Sequence, residues 1–148
     1  MSKPCVVFDI DGVLSNHNHR IHHEHNRDWP KYHEVMHMDK PYMDIVMLLR
    51  FIHEFGIPVI LCTGRSEVYS EATEQWLLNH SIPYDNLMMR ADGDERHSGK
   101  VKKAMLLELK ELHGYHVWFA IEDKTSVVNM WRMEGITCLQ MEDLTTKS

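Results

Sequence analysis

Cysteine is scarce in this chain: Cys5, Cys62 and Cys138 are the only three in 148 residues. None has a C-x-x-C spacing and each lies in an apolar, strand-like stretch, which reads as buried free thiols in a reducing compartment rather than a disulfide framework. No apolar run approaches the roughly 20 residues of a membrane span. No signal peptide pattern is present either, since Met1-Ser2-Lys3-Pro4 runs straight into a short strand pattern, and a cytoplasmic protein is expected. An excess of positive charge is also missing. Sixteen Lys and Arg against 22 Asp and Glu leave a net charge of −6, unsuited to coating nucleic acid but compatible with a small basic site for one phosphate. There is no internal repeat or low-complexity linker. With 43% apolar and 26% charged residues, 1–148 is expected to form a single soluble domain with a real core.

What is present begins with Val6-Val7-Phe8-Asp9-Ile10-Asp11-Gly12-Val13-Leu14. An apolar run stops at two aspartates one residue apart, and a glycine follows. Alternation along an extended backbone puts Asp9 and Asp11 on one side, where like charges oppose each other unless a cation or substrate offsets them. The pattern points to a divalent metal at a strand end, with one carboxylate left for chemistry.

From about 15 to 39 the pattern breaks into a polar flap or minimal cap holding seven of the twelve histidines (His17, His19, His22, His23, His25, His33 and His37). Without cysteines or regular ligand spacing, these read as incidental polarity of the flap rather than a zinc site. The aromatics Trp29, Tyr32 and Tyr42 read as anchors of the flap to the core, with base stacking as the alternative. Beyond it, apolar strands alternate with amphipathic helices. A helix after Pro41 turns Ile45, Leu48, Leu49, Ile52 and Phe55 inward. A strand over 57–62 follows, then a helix from about Ser66 to His80 facing in through Val68, Ala72, Trp76 and Leu77. Leu87-Met88-Met89 is a short strand. A helix over 99–112 buries Ala104, Leu107 and Leu112, and Val117–Ile121 is a buried strand. A helix from Ser126 to Glu134 and a last strand, 136–139, precede a tail expected to fray from Met141. Trp76, Trp118 and Trp131 are expected in the core. This alternation predicts an α/β fold with a doubly wound parallel sheet, whose ligands lie beyond the carboxyl ends of the strands.

Those ends carry complementary chemistry. Asp9 suits a nucleophile that forms an acyl-phosphate. Asp11 suits the proton carrier. Thr63 and the following backbone N–H groups suit phosphate oxygens. A lysine at the start of the 99–112 helix suits developing negative charge. Asp9, Asp11, Glu122 and Asp123 together offer oxygen ligands to Mg²⁺.

In this order, Asp9-x-Asp11-Gly12-Val13, Thr63-Gly64-Arg65, a lysine near 100–102 and Glu122-Asp123 resemble the four motifs of the haloacid-dehalogenase-like (HAD) phosphatases, with their Rossmann-like fold. A closer likeness is to the 3′-phosphatase domains of bacteriophage polynucleotide kinases. It rests on Ala120-Ile121-Glu122-Asp123-Lys124-Thr125, Val127-Val128 and Met130-Trp131-Arg132, and on the segment from Arg90 to Arg96. That likeness implies substrate contacts from Arg20, Gly64, Arg65, Asp94 and Arg96. An acidic residue the family pattern places near Ser98 is absent, so Lys102 fits by spacing from Arg96 and Lys100 by nearness to the helix start. The Gly-x₄-Gly-Lys-Ser/Thr of a P-loop is missing, and no kinase activity is expected. The implied reaction is Mg²⁺-dependent hydrolysis of a 3′-phosphate on DNA or RNA. A nucleotidase acting on free monophosphates and a non-catalytic phosphate-binding module are the alternatives.

Overall fold

The computed structural model describes residues 2–145, and the ends of the chain, residue 1 and residues 146–148, lie outside the described residues. The chain runs β1 (Lys3–Phe8), β2 (Ser15–Asn16), α1 (Ile21–His25), α2 (Trp29–Glu34), β3 (Lys40–Pro41), α3 (Met43–Glu54) and β4 (Val59–Ser66). It continues through α4 (Ser70–Asn79), β5 (Asn86–Arg90), α5 (Ser98–Glu111), β6 (Tyr115–Glu122), α6 (Thr125–Met133) and β7 (Thr137–Gln140). The five long strands form one parallel sheet in the order β5-β4-β1-β6-β7. This is the predicted α/β doubly wound arrangement, with β1 at its centre.

Because side chains alternate along a strand, β1 feeds two cores. Cys5 and Val7 meet α5 and α6 through Val101, Met105, Leu106, Leu109, Val128 and Trp131. Val6 and Phe8 meet α3 and α4 through Val46, Leu49, Trp76 and Leu77. All three cysteines are buried free thiols, and burial pushes the Cys5 thiol up to about 12.

Two helices, α5 and α4, turn a partly different face inward from the one their apolar residues predict. In α5 the buried row is Val101, Lys102, Met105, Leu106 and Leu109, whereas Ala104, Leu107 and Leu112 are exposed. The inner row contains a lysine, which a hydrophobic pattern assigns to the outside. Val68 falls in a 3₁₀ turn before α4 and is exposed, as is Ala72, because Thr73 takes the inner position and accepts a hydrogen bond from Arg65 (3.1 Å). Around α3, Leu48 is partly exposed and Phe55, at the helix end, is 84% exposed. Trp118 also faces out from β6, while Trp76 and Trp131 are buried.

The flap is a folded element. β2 and β3 pair antiparallel, Ser15 with Pro41 and Asn16 with Lys40, and close a stem from which α1 and α2 project over the sheet end. The tail is tied down as far as Thr145. Met141 N–H donates to Glu122 O, Thr125 N–H to Asp143 (2.9 Å), and His25 reaches Leu144 O (2.9 Å). No helix among the described residues is long and apolar enough to cross a membrane.

Candidate active site

Strand register assembles the site. Phe8 pairs with Leu61 on β4 and with Ile121 on β6, so the next residues beyond the β1–β6 pair are Asp9 and Glu122. Asp9 is buried, with its backbone N–H donating to Ile121 O (3.1 Å) and its Oδ1 accepting from Ile10 N–H (2.8 Å). The chain then turns at Gly12, whose φ of +81° favours glycine; a Cβ there would overlap the Asp123 carboxylate.

Lys102 reaches in from the first turns of α5. Its Nζ lies 3.0 Å from Asp9 Oδ1 and donates to Glu122 Oε2 at 2.6 Å. Lys100, the other lysine the sequence offered, is exposed. The difference is helical phase: position 102 shares the buried row with Val101, Met105 and Leu106, and position 100 does not.

Asp9, Glu122 and Asp123 place one carboxylate oxygen each within 4.8 Å of one another. Among the described residues no other group of three His, Cys, Asp or Glu comes together this way. Burial, and then the charge of Glu122, pushes Asp9 well above the carboxylate range against the pull of Lys102. Burial and Asp9 likewise push Asp123 up to about 8. Three buried acids thus face one ammonium, and Asp123 Oδ2 has no hydrogen-bond partner. His17 Nε2, also unpartnered, stands 3.7 Å from that oxygen, and its Nδ1 shares a hydrogen bond with the Tyr32 hydroxyl (2.6 Å).

Asp11, expected among the metal ligands, stands outside this cluster. Its carboxylate accepts from Arg65 Nε (3.0 Å) and Nη2 (2.7 Å), from Arg20 Nη2 (2.5 Å) and from the Ser15 hydroxyl (3.3 Å). Against the cost of burial, Arg65 and Arg20 hold it well below the usual range. The two arginines are placed differently. Both are fully buried, but Arg65 borders the cleft whereas Arg20, behind Asp11, does not line it. Arg20 spends its donors on Asp39 (2.8 and 2.6 Å), Tyr32 O (3.0 Å) and Asp11, with its guanidinium 4.2 Å above the Tyr32 ring. Asp39, buried and also 2.7 Å from His19 Nε2, gave no signal in the sequence because it sits alone at the end of the polar flap.

Thr63 is buried inside β4, where the strand continues past the expected end at Cys62, and accepts from Arg65 N–H (3.1 Å) at the irregularity in pairing between Cys62 and Ser66. Gly64 lies under Ser98, where a Cβ would come within 3.3 Å of the Ser98 hydroxyl. Asp94 and Arg96 pair with each other at the cleft rim (2.8 Å), and Arg90 ties the same loop to Gly64 O and Ser98. All of this surrounds a cleft of about 1040 Å³ between the flap and the sheet end, with Asp9, Lys102, Glu122 and Asp123 among its lining.

The family model for the polynucleotide kinase PNKP phosphatase domain matches residues 3–144. A Pnkp1/Rnl/Hen1 complex superposes with a TM-score of 0.78 and 32% identity, covering 95% of this chain and 46% of that one. A Pnkp1/Rnl/Hen1 RNA repair complex gives 0.79 and 32%, covering 97% and 44%. The chain therefore spans a little under half the length of these two relatives. The class C acid phosphatase from Bacillus anthracis with tungstate bound shares the fold, at a TM-score of 0.70 and 14% identity over 99% of this chain and 69% of that one.

Proposed function

The chain belongs to the polynucleotide kinase PNKP phosphatase-domain family and is a phosphatase of the haloacid-dehalogenase class; from that premise we propose that it hydrolyses the 3′-phosphate at the end of a DNA or RNA strand, with Mg²⁺, through an aspartyl-phosphate. The observation that carries the reading is the convergence of Asp9 and Lys102 with Asp11 and Arg65 at one end of the cleft.

Three hard oxygen donors, one of them unpartnered, fit Mg²⁺, and Asp9, Glu122 and Asp123 would hold it. When bound, it offsets the charge of nucleophile and phosphate together. Asp9 attacks phosphorus, the bond to the 3′-oxygen breaks, and Asp11 delivers a proton to that leaving oxygen. Water then attacks the phosphorus of the acyl-phosphate while Asp11 takes the water's proton. This regenerates the Asp9 carboxylate and releases inorganic phosphate. Lys102 holds the nucleophile and faces charge as it develops. Gly64 borders the cleft where phosphate oxygens would lie, and Thr63 shapes that stretch of β4 by accepting from Arg65 N–H.

The arginine clamp sets when Asp11 can hold a proton, which Asp11 takes up from solvent before passing it to the leaving oxygen. A phosphate oxygen competes with Asp11 for Arg65, and losing one of its two cationic partners raises Asp11's proton affinity as substrate arrives. Arg20 then acts through Asp11 rather than on the phosphate. A polynucleotide end is favoured over a free monophosphate by the 32% identical relative found in an RNA repair complex. The deciding comparison is turnover of a 3′-phosphorylated oligonucleotide against free nucleoside 3′- and 5′-monophosphates in Mg²⁺. The oligonucleotide should be hydrolysed at least as fast as the free 3′-phosphate, and the 5′-phosphates spared. Free 5′-monophosphates winning by orders of magnitude would make it a nucleotidase.

A further inference from the structure

The cleft is larger than a phosphate needs, and one of its walls is aromatic. Trp29 and His33, four residues apart on α2, stand side by side with near-parallel rings (6.4 Å between centroids, 26°). His33 stacks in turn on Tyr69 from the 3₁₀ turn after β4 (4.6 Å, 29°). Tyr32, buried beneath, braces the row edge-on at 5.7 Å from Trp29 and 5.1 Å from His33. The row is therefore held from both the flap and the sheet. The His33–Tyr69 stack, the β2–β3 stem and the Arg20–Asp39 pair all tie down the flap without Trp29, which is left 45% exposed at the cleft. An indole kept open to a cleft that ends in a phosphoryl-transfer site is placed for a flat, apolar-faced ligand.

We infer that Trp29, His33 and Tyr69 form a subsite that stacks the base of the nucleotide carrying the scissile phosphate. This inference rests on the phosphatase reading above. Every base has a π-face, so the subsite accepts any base. It also ends with that nucleotide. Along the rest of the lining Glu24, Asp92, Asp94 and Glu95 offset Arg27, Arg90, Arg96 and Lys124, with Arg96 paired to Asp94 and Lys124 to Glu24, so the cleft offers no continuous basic track for a phosphate backbone. Burial pushes His33 down to about 4, so its ring is neutral at pH 7 and adds no second anion site.

The test is steady-state hydrolysis of a nucleoside 3′-monophosphate against an abasic deoxyribose 3-phosphate. The protein as it stands should have a KM at least about ten-fold lower for the base-bearing ester, in line with one stacked base. Trp29→Ala should erase most of that preference with little change in kcat, and Trp29→Phe should restore most of it. A 3′-phosphorylated oligonucleotide should have a KM within about three-fold of the mononucleotide, since further backbone phosphates find no basic track. A Trp29→Ala variant that keeps the preference, or that raises KM for both esters alike, overturns the subsite. If neither ester is turned over, the phosphatase reading fails by itself. The subsite is then read by calorimetric binding of a nucleoside 3′-phosphate to Asp9→Asn, with and without Trp29→Ala, and equal affinities overturn it.

Discussion

Single residues carry the chemistry through charge balance. Asp9, Glu122 and Asp123 are three buried acids around one lysine, and Asp11 is one acid between two arginines. The first group has a deficit of positive charge that suits a divalent cation; in the second, Asp11 and Asp39 balance Arg20 and Arg65, and the two guanidiniums hold Asp11 ionised. Gly12 joins the two, because its left-handed turn lets Asp123 pack against the backbone. Gly12→Ala should therefore cost about 1–2 kcal/mol in backbone strain and displace the Asp123 carboxylate. Mg²⁺-dependent turnover would fall by at least about 100-fold, as for loss of a preorganised charge, while thermal unfolding stays cooperative. Unchanged turnover would show that the close approach of Asp123 is dispensable. The residues with a motif around them, Asp9, Asp11, Thr63, Arg65, Glu122 and Asp123, were readable in the sequence because each ends an apolar strand. Asp39 and His17 were not. Their roles come from a flap folding back on the site, which no local spacing encodes.

At the scale of elements, strands and helices were legible as alternation and periodicity, but the phase of two helices was not. A lysine paired with Asp9 and Glu122 in the inner row of α5 and a threonine bonded to Arg65 in α4 break the apolar stripe where the helices meet the site. The flap was legible only as an excursion, since its short helices are fixed by ring contacts and the Arg20–Asp39 pair rather than by a hydrophobic repeat. That dependence gives it a pH sensitivity. Burial lowers His33 from 6.5 in the unfolded chain to about 4, so the folded chain binds fewer protons between those values. Its contribution to stability is present above about pH 6.5 and is lost as pH falls towards 4. The melting temperature should fall over that window, and His33→Phe should flatten the fall. An unchanged slope would place the acid sensitivity elsewhere.

The whole molecule is a parallel sheet that delivers strand ends to one edge, capped by a stemmed flap that closes a cleft over them. The central claim is that Asp9 is the nucleophile. It is tested by quenching the protein with borohydride during Mg²⁺-dependent turnover of a 3′-phosphorylated oligonucleotide and mapping the product by peptide mass spectrometry. An acyl-phosphate at Asp9 is reduced to homoserine at that position, and Asp9→Asn should neither turn over substrate nor acquire the mark. Full turnover with Asp9 unmodified, or sustained turnover by Asp9→Asn, would contradict the account.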